Sequence, residues 1–158
     1  MRETFVKVLT ELAEKDPNVI LIVGDVGFNF IEEYAQKFPK QFLNCGAMEQ
    51  TMIGVAAGMA RSGMKPYVYS MINFLLFRPY EQVRNDICYD NMNVKLFGVK
   101  GSEAYKFLGH THNIVDGEDF SVLQDLPNIQ MHSPTTKEVL RAIMLEEYEM
   151  ESPSYTIL

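Results

Sequence analysis

The chain has 158 residues, 47% hydrophobic and 22% charged, a balance that excludes a disordered, solvent-swollen polypeptide. A chain of this length buries roughly 68% of its unfolded surface as one domain and needs neither metal nor disulfide to fold. Its 14 Lys and Arg stand against 21 Asp and Glu, so no broad basic field exists to replace counterions along a nucleic-acid backbone.

In chain order, residues 3–14 read as an amphipathic helix with Phe5, Val8, Leu9 and Leu12 on one face. Glu and Lys interrupt it too often for a signal peptide. Asp16-Pro17-Asn18 ends it, and Val19-Ile20-Leu21-Ile22-Val23 follows as a strand buried on both faces. After the turn Gly24-Asp25-Val26-Gly27, residues 28–37 are predicted helical, closed by Phe38-Pro39. Residues 42–45 form a short extended piece. The longest helix is predicted over 47–61, with Met48, Met52, Val55, Ala56 and Met59 as its apolar stripe. Gly54 and Gly58 each cost that helix up to ~1 kcal/mol, which close packing of Gly54, Ala57 and Gly58 on a sheet or another helix would offset. Strands are expected over 66–69, 94–99, 128–131 and 154–158. Residues 73–86 read as loop and helix, 101–117 as a loop, 120–126 as a short helix, and 135–147 as a helix with Thr135 and Glu138 as a capping box. Strand and helix alternate throughout. The expected class is α/β, a three-layer sandwich with a largely parallel central sheet. The apolar runs fall well short of the ~20 residues that span a bilayer, and a cytoplasmic protein is expected.

In an open parallel sheet, ligands bind beyond the carboxyl ends of the strands. Residues 24–27, 44–50, 71–80 and 101–112 fall there. The first segment lacks the third glycine of a dinucleotide fingerprint, and no Gly-Lys-Ser/Thr follows, so a nucleotide is not favoured. Glu49, in the first turn of the long helix, reads either as an acidic residue offsetting the helix dipole or as a carboxylate desolvated enough to keep or share a proton. Phe74, Phe77 and Tyr80 stand three apart, a spacing that suits core packing. Pro79, however, assigns 74–78 to loop or helix entry at the ligand edge, where aromatic faces can hold a flat heterocycle. His110 and His112 form an H-x-H pair with no third ligand in the segment, so a metal is not favoured. They are either loop histidines without a role or substrate contacts suited to acid–base work near neutral pH. Lys100, at a strand end, can hold an anionic group. Cys45 and Cys88 lack metal-ligand spacing, and Cys45, with no base beside it, reads as a structural thiol.

The run Asn44-Cys45-Gly46-Ala47-Met48-Glu49-Gln50-Thr51-Met52-Ile53-Gly54-Val55-Ala56-Ala57-Gly58-Met59-Ala60 resembles the signature of the pyrimidine-binding domain of thiamine-diphosphate enzymes in the transketolase group. Residues 74–84 resemble the group's aromatic segment, and Gly109-His110-Thr111-His112 resembles its G-P-T-H loop. The resemblance covers residues 1–158 as one pyrimidine-binding domain, the N-terminal part of a split transketolase C-terminal section. It implies that Glu49 bonds N1' of the aminopyrimidine and shares its proton, which activates the thiazolium carbon. By the same resemblance Phe74, Phe77 and Tyr80 surround the ring, Asp25 lies near the cofactor, and Lys100, His110 and His112 face the substrate. Glu49 and His112 are its implied catalytic residues.

Three positions depart from the family pattern. Leu108 stands where an acidic residue precedes G-P-T-H, His110 replaces the proline, and Lys100 stands where transketolases carry a histidine. The donor sugar is therefore left open. The family's diphosphate-binding domain carries a G-D-G…N motif that does not occur in these 158 residues. The resemblance thus implies that a partner chain brings the Mg²⁺ ligands and the diphosphate site, in a heterotetramer. The implied reaction is transfer of a two-carbon ketol unit between sugars or sugar phosphates. Decarboxylation or dehydrogenation of a 2-oxo acid, deoxyxylulose-phosphate synthesis and a non-catalytic relative stay open as alternatives.

Overall fold

A computed structural model describes residues 1–101 and 103–158; residue 102, within the predicted loop 101–117, lies outside the described residues. Among these residues one sheet is formed by β1 (Val19–Val23), β2 (Phe42–Asn44), β3 (Lys65–Met71), β4 (Lys95–Val99), β5 (Gln130–His132) and β6 (Ser154–Ile157). Every pairing is parallel, in the order β2-β1-β3-β4-β6-β5. Helix α1 (Arg2–Ala13) leads into β1, and α2 (Glu32–Lys37), α3 (Glu49–Arg61), α4 (Tyr80–Gln82), α5 (Glu118–Leu123) and α6 (Lys137–Glu149) lie in the crossovers. The expected parallel α/β sandwich is the architecture found.

The strand pleat divides the core in two. Leu21 and Val23 of β1 join Tyr67, Tyr69 and Phe97 beneath Phe5, Val8 and Leu9 of α1 and Leu140 and Met144 of α6. Ile20 and Ile22 face the other way, against Met52, Ile53 and Ala56 of α3 and Leu75, Leu76 and Val83. Alternate residues of one apolar run thus serve opposite layers, as a central parallel strand requires.

Four local differences from the sequence reading have physical causes. The helix expected over 28–37 begins only at Glu32, because Gly27 and Asn29 take φ of 94° and 71°, outside the right-handed helical region. The cap of α6 is Thr136, not Thr135: its Oγ1 accepts from the Val139 amide at 3.2 Å. Residues 73–77 form a π-helical turn in which the Arg78 amide donates to the Asn73 carbonyl at 3.1 Å, and this wide turn accommodates Pro79 inside a helical run. Finally, Ala57 packs inward, but a Cβ at Gly54 or Gly58 would meet no other atom within 4 Å. Those glycines lie on the face of α3 turned away from the sheet, so close packing within this chain does not offset their cost.

Candidate active site

The strand order reverses between β1 and β3, and the loops leaving β1, β2, β3 and β4 all open at that edge. Backbone geometry there is unusual. Asp25, following β1, adopts φ 56°, a left-handed conformation that non-glycine residues rarely take. Asn44, at the end of β2, binds this turn: its Oδ1 accepts from the Asp25 amide at 3.0 Å and from the Gly46 amide at 2.9 Å. Gly46, at φ 70°, then turns the chain into α3.

That turn delivers Glu49 as the first residue of α3, buried to 8% exposure. Its Oε1 accepts from Nη1 of Arg78 at 2.9 Å. The Arg78 guanidinium in turn lies 4.1 Å from the centroid of the Phe74 ring, in cation–π contact. Phe74 meets the imidazole of His112 edge-on, with 5.0 Å between centroids. Glu49, Arg78, Phe74 and His112 therefore form one continuous chain of contacts across the strand ends.

The hydroxyl of Thr111 donates to the Leu108 carbonyl at 2.7 Å, so its oxygen is left to accept from His112 Nδ1, 2.8 Å away. A neutral His112 consequently carries its proton on Nδ1 and presents Nε2 as an acceptor. The loop is held by side chains from outside it. The Asn73 amide donates to the carbonyls of His110 at 2.9 Å and Asn113 at 3.5 Å, on either side of His112. Asn113 closes the loop on itself through the Tyr105 and Gly109 carbonyls, at 3.0 and 2.8 Å. A Cβ at Gly101 would stand 2.2 Å from Asn113 Oδ1 and 2.3 Å from the His112 carbonyl, so only glycine fits there.

Asp25 and Lys100 line a neighbouring cavity of about 190 Å³ with Arg2, Phe30, Tyr69 and Tyr105. Tyr105 joins it to the first cluster by stacking on His112 at 5.8 Å. Lys100 pairs with Asp116 at 2.5 Å, which lowers the pKa of that exposed carboxyl. Other predicted site residues lie apart. His110 faces a separate depression beside Lys106 and Ile114, Phe77 packs against the core layer under α3, and Tyr80 donates its hydroxyl to the Val122 carbonyl at 3.2 Å. Burial raises the pKa of the Cys45 thiol and pushes that of Cys88 up to about 12, consistent with structural thiols. Among the described residues no three His, Cys, Asp or Glu side chains gather as a metal site, and no helix is long and apolar enough to cross a membrane.

Sequence reasoning placed Asn44, Asn73, Arg78 and Gly101 in the ligand-edge segments but gave none of them a role. Only Arg78 left a signal, as a lone cation inside an aromatic run.

Fold and site together define an open parallel α/β domain that presents a buried carboxylate, an aromatic ring and a histidine loop at the strand ends. The family model for the transketolase pyrimidine-binding domain matches residues 1–158, and the chain belongs to that family. It is 34% identical to an apulose-4-phosphate transketolase subunit of Phocaeicola vulgatus, over 98% of this chain and 49% of the relative. It is 30% identical to a 6-deoxy-6-sulfo-D-fructose transketolase subunit of a Clostridium species, over 98% and 48% respectively. A solved structure described as a split-gene transketolase, inactive beta4 tetramer, superposes with a TM-score of 0.86 at 32% identity, covering 99% of this chain and 50% of that one. The chain thus spans about half the length of the relatives it matches.

Proposed function

We propose that residues 1–158 act as the pyrimidine-binding half of a split, thiamine-diphosphate-dependent transketolase-like enzyme that moves a two-carbon ketol unit between sugars or sugar phosphates in the cytoplasm. The observation that carries this reading is Glu49, a buried carboxylate linked through Arg78 to the Phe74 ring and through that ring to the histidine loop. The donor set fits an aminopyrimidine. Such a ring needs a carboxylate to hold a proton at N1' and an aromatic surface beside it, and Glu49 and Phe74 provide both.

Bound thiamine diphosphate would supply the nucleophilic carbon and the electron sink. Glu49 holds the proton at N1' and so sets the ring's protonation state. Phe74 fixes the plane of the ring, and Asp25 lines the cavity beside it. His112, its Nε2 left as an acceptor by the Thr111 bond, takes or returns a proton at a substrate hydroxyl. Lys100, half-exposed beside the 190 Å³ cavity, suits the anionic end of a sugar phosphate or sulfonate, the kind of substrate named for the two transketolase relatives. His110 lines the outer side of the same loop.

A second chain is proposed to bring the Mg²⁺ ligands and the diphosphate site, in a heterotetramer. The bare glycines of α3 support it, since Gly54 and Gly58 leave a flat outward stripe that another chain can approach closely. Calorimetric titration with thiamine diphosphate and Mg²⁺ tests the proposal. Tight binding is expected only after this chain is mixed with its diphosphate-binding partner; tight, Mg²⁺-dependent binding by this chain alone would overturn it.

A further inference from the structure

The Arg78 side chain bonds to the residue proposed to hold N1' and lies against the ring proposed to flank the heterocycle. Nη1 donates to Glu49 Oε1 at 2.9 Å, and the guanidinium carbon stands 4.1 Å from the Phe74 centroid. The Glu49 side chain is 10% exposed and that of Arg78 51%, so the cation reaches the carboxylate from the open side. The guanidinium offers what a protonated aminopyrimidine would offer: a flat, delocalised cation, an in-plane N–H directed at the carboxylate, and a face to lay on an aromatic ring.

We propose that Arg78 holds the seat of the aminopyrimidine in the free chain and must leave it for the cofactor to bind. The proposal rests on the reading of Glu49 and Phe74 as ring-binding residues and adds a competitor for the same two contacts. A bare carboxylate at this burial is costly, and Arg78 gives it a hydrogen-bonded cationic partner until a ring arrives. Release is cheap, because the guanidinium returns to water from a side chain already half in it and regains rotamer freedom. The energy of the displaced contacts is subtracted from cofactor binding, so Arg78 weakens the apparent affinity and favours ligands that replace both contacts at once.

The test is calorimetric titration of the assembled two-chain enzyme with thiamine diphosphate and Mg²⁺, comparing wild type with Arg78→Met, Arg78→Lys and Glu49→Gln. Arg78→Met keeps the length and apolar stem but cannot compete, and its Kd is expected to fall about three- to tenfold, the worth of a half-exposed ion pair plus one cation–π contact. Arg78→Lys retains the charge without the flat face and is expected to fall between Met and wild type. Glu49→Gln is expected to weaken binding. If Arg78→Met binds no tighter than wild type while Glu49→Gln weakens binding, the placeholder role fails and the ring site stands. If Glu49→Gln binds as wild type, the ring site itself fails, and the placeholder with it. Circular dichroism of each variant checks the fold, which a half-exposed side chain is not expected to control.

Discussion

Glu49 and Glu147 are both buried carboxylates, and they serve opposite ends. Glu49 sits at the strand ends bonded to Arg78, whose side chain is half in water. Glu147 of α6 has no exposure and lies beneath its helix, accepting from the Thr156 hydroxyl at 2.8 Å with the His132 ring 3.9 Å away. Burial raises the pKa of the Glu147 carboxyl, an effect countered by Thr156, His132 and Lys95. Lys95, 1% exposed, donates to the Met150 and Ser152 carbonyls at 3.2 and 2.6 Å, and burial lowers its pKa to about 8. A search for strongly shifted ionisable groups would lead to Glu147 and Lys95. Yet both side chains are almost wholly shut off from solvent, held by Thr156 of β6 and by the carbonyls of the turn before that strand. What distinguishes Glu49 is a partner that is able to leave.

The contrast can be broken most forcefully at Glu147. Glu147→Ala strands the buried Thr156 hydroxyl, removes the carboxylate field that offsets the Lys95 charge and leaves a cavity, and is expected to cost about 2–4 kcal/mol of stability by urea denaturation. Glu147→Gln, which keeps shape and an acceptor, should cost clearly less. If Glu147→Ala lost under about 1 kcal/mol, the cluster would not be the structural element described.

A smaller effect is expected at Lys95. The folded chain releases this proton near pH 8 and the unfolded chain near 10.5, so between those values the unfolded state binds more protons. The contribution of Lys95 is therefore unfavourable below about pH 8 and is relieved as pH rises. Measured against Lys95→Met, wild type should gain about 1–2 kcal/mol between pH 8 and about 9.5. A difference that stays flat over that interval would contradict the burial of a charged amine.

The fold was legible wherever a pattern repeats along the chain. The apolar runs of β1, β3 and β4 and the helical stripe of α1 announced their elements. The position of Glu49 at the start of the long helix was legible too, because a strand–turn–helix junction is local. Asn73 and Asn44 were not, since each acts on residues distant in sequence, His110 and Asp25, and a lone Asn carries no periodicity. The π-helical turn at Asn73–Phe77 was missed because a five-residue hydrogen-bond step leaves no mark in a hydrophobic pattern of period 3.6. It nevertheless organises the site, presenting Asn73 to the backbone of the histidine loop and Phe74 to the His112 ring. Gly54 and Gly58 were read as packing residues, correctly small but facing outward, because which face of a helix meets the sheet depends on the whole apolar stripe.

Steady-state turnover of the assembled enzyme carrying Glu49→Gln is the decisive measurement. The substitution keeps size and removes the ability to share a proton. Turnover should fall by at least ~10²-fold while thermal stability and assembly stay at wild-type values. Turnover within a factor of about two of wild type, from a properly assembled complex, would contradict the role given to this carboxylate and the reading of the site built around it.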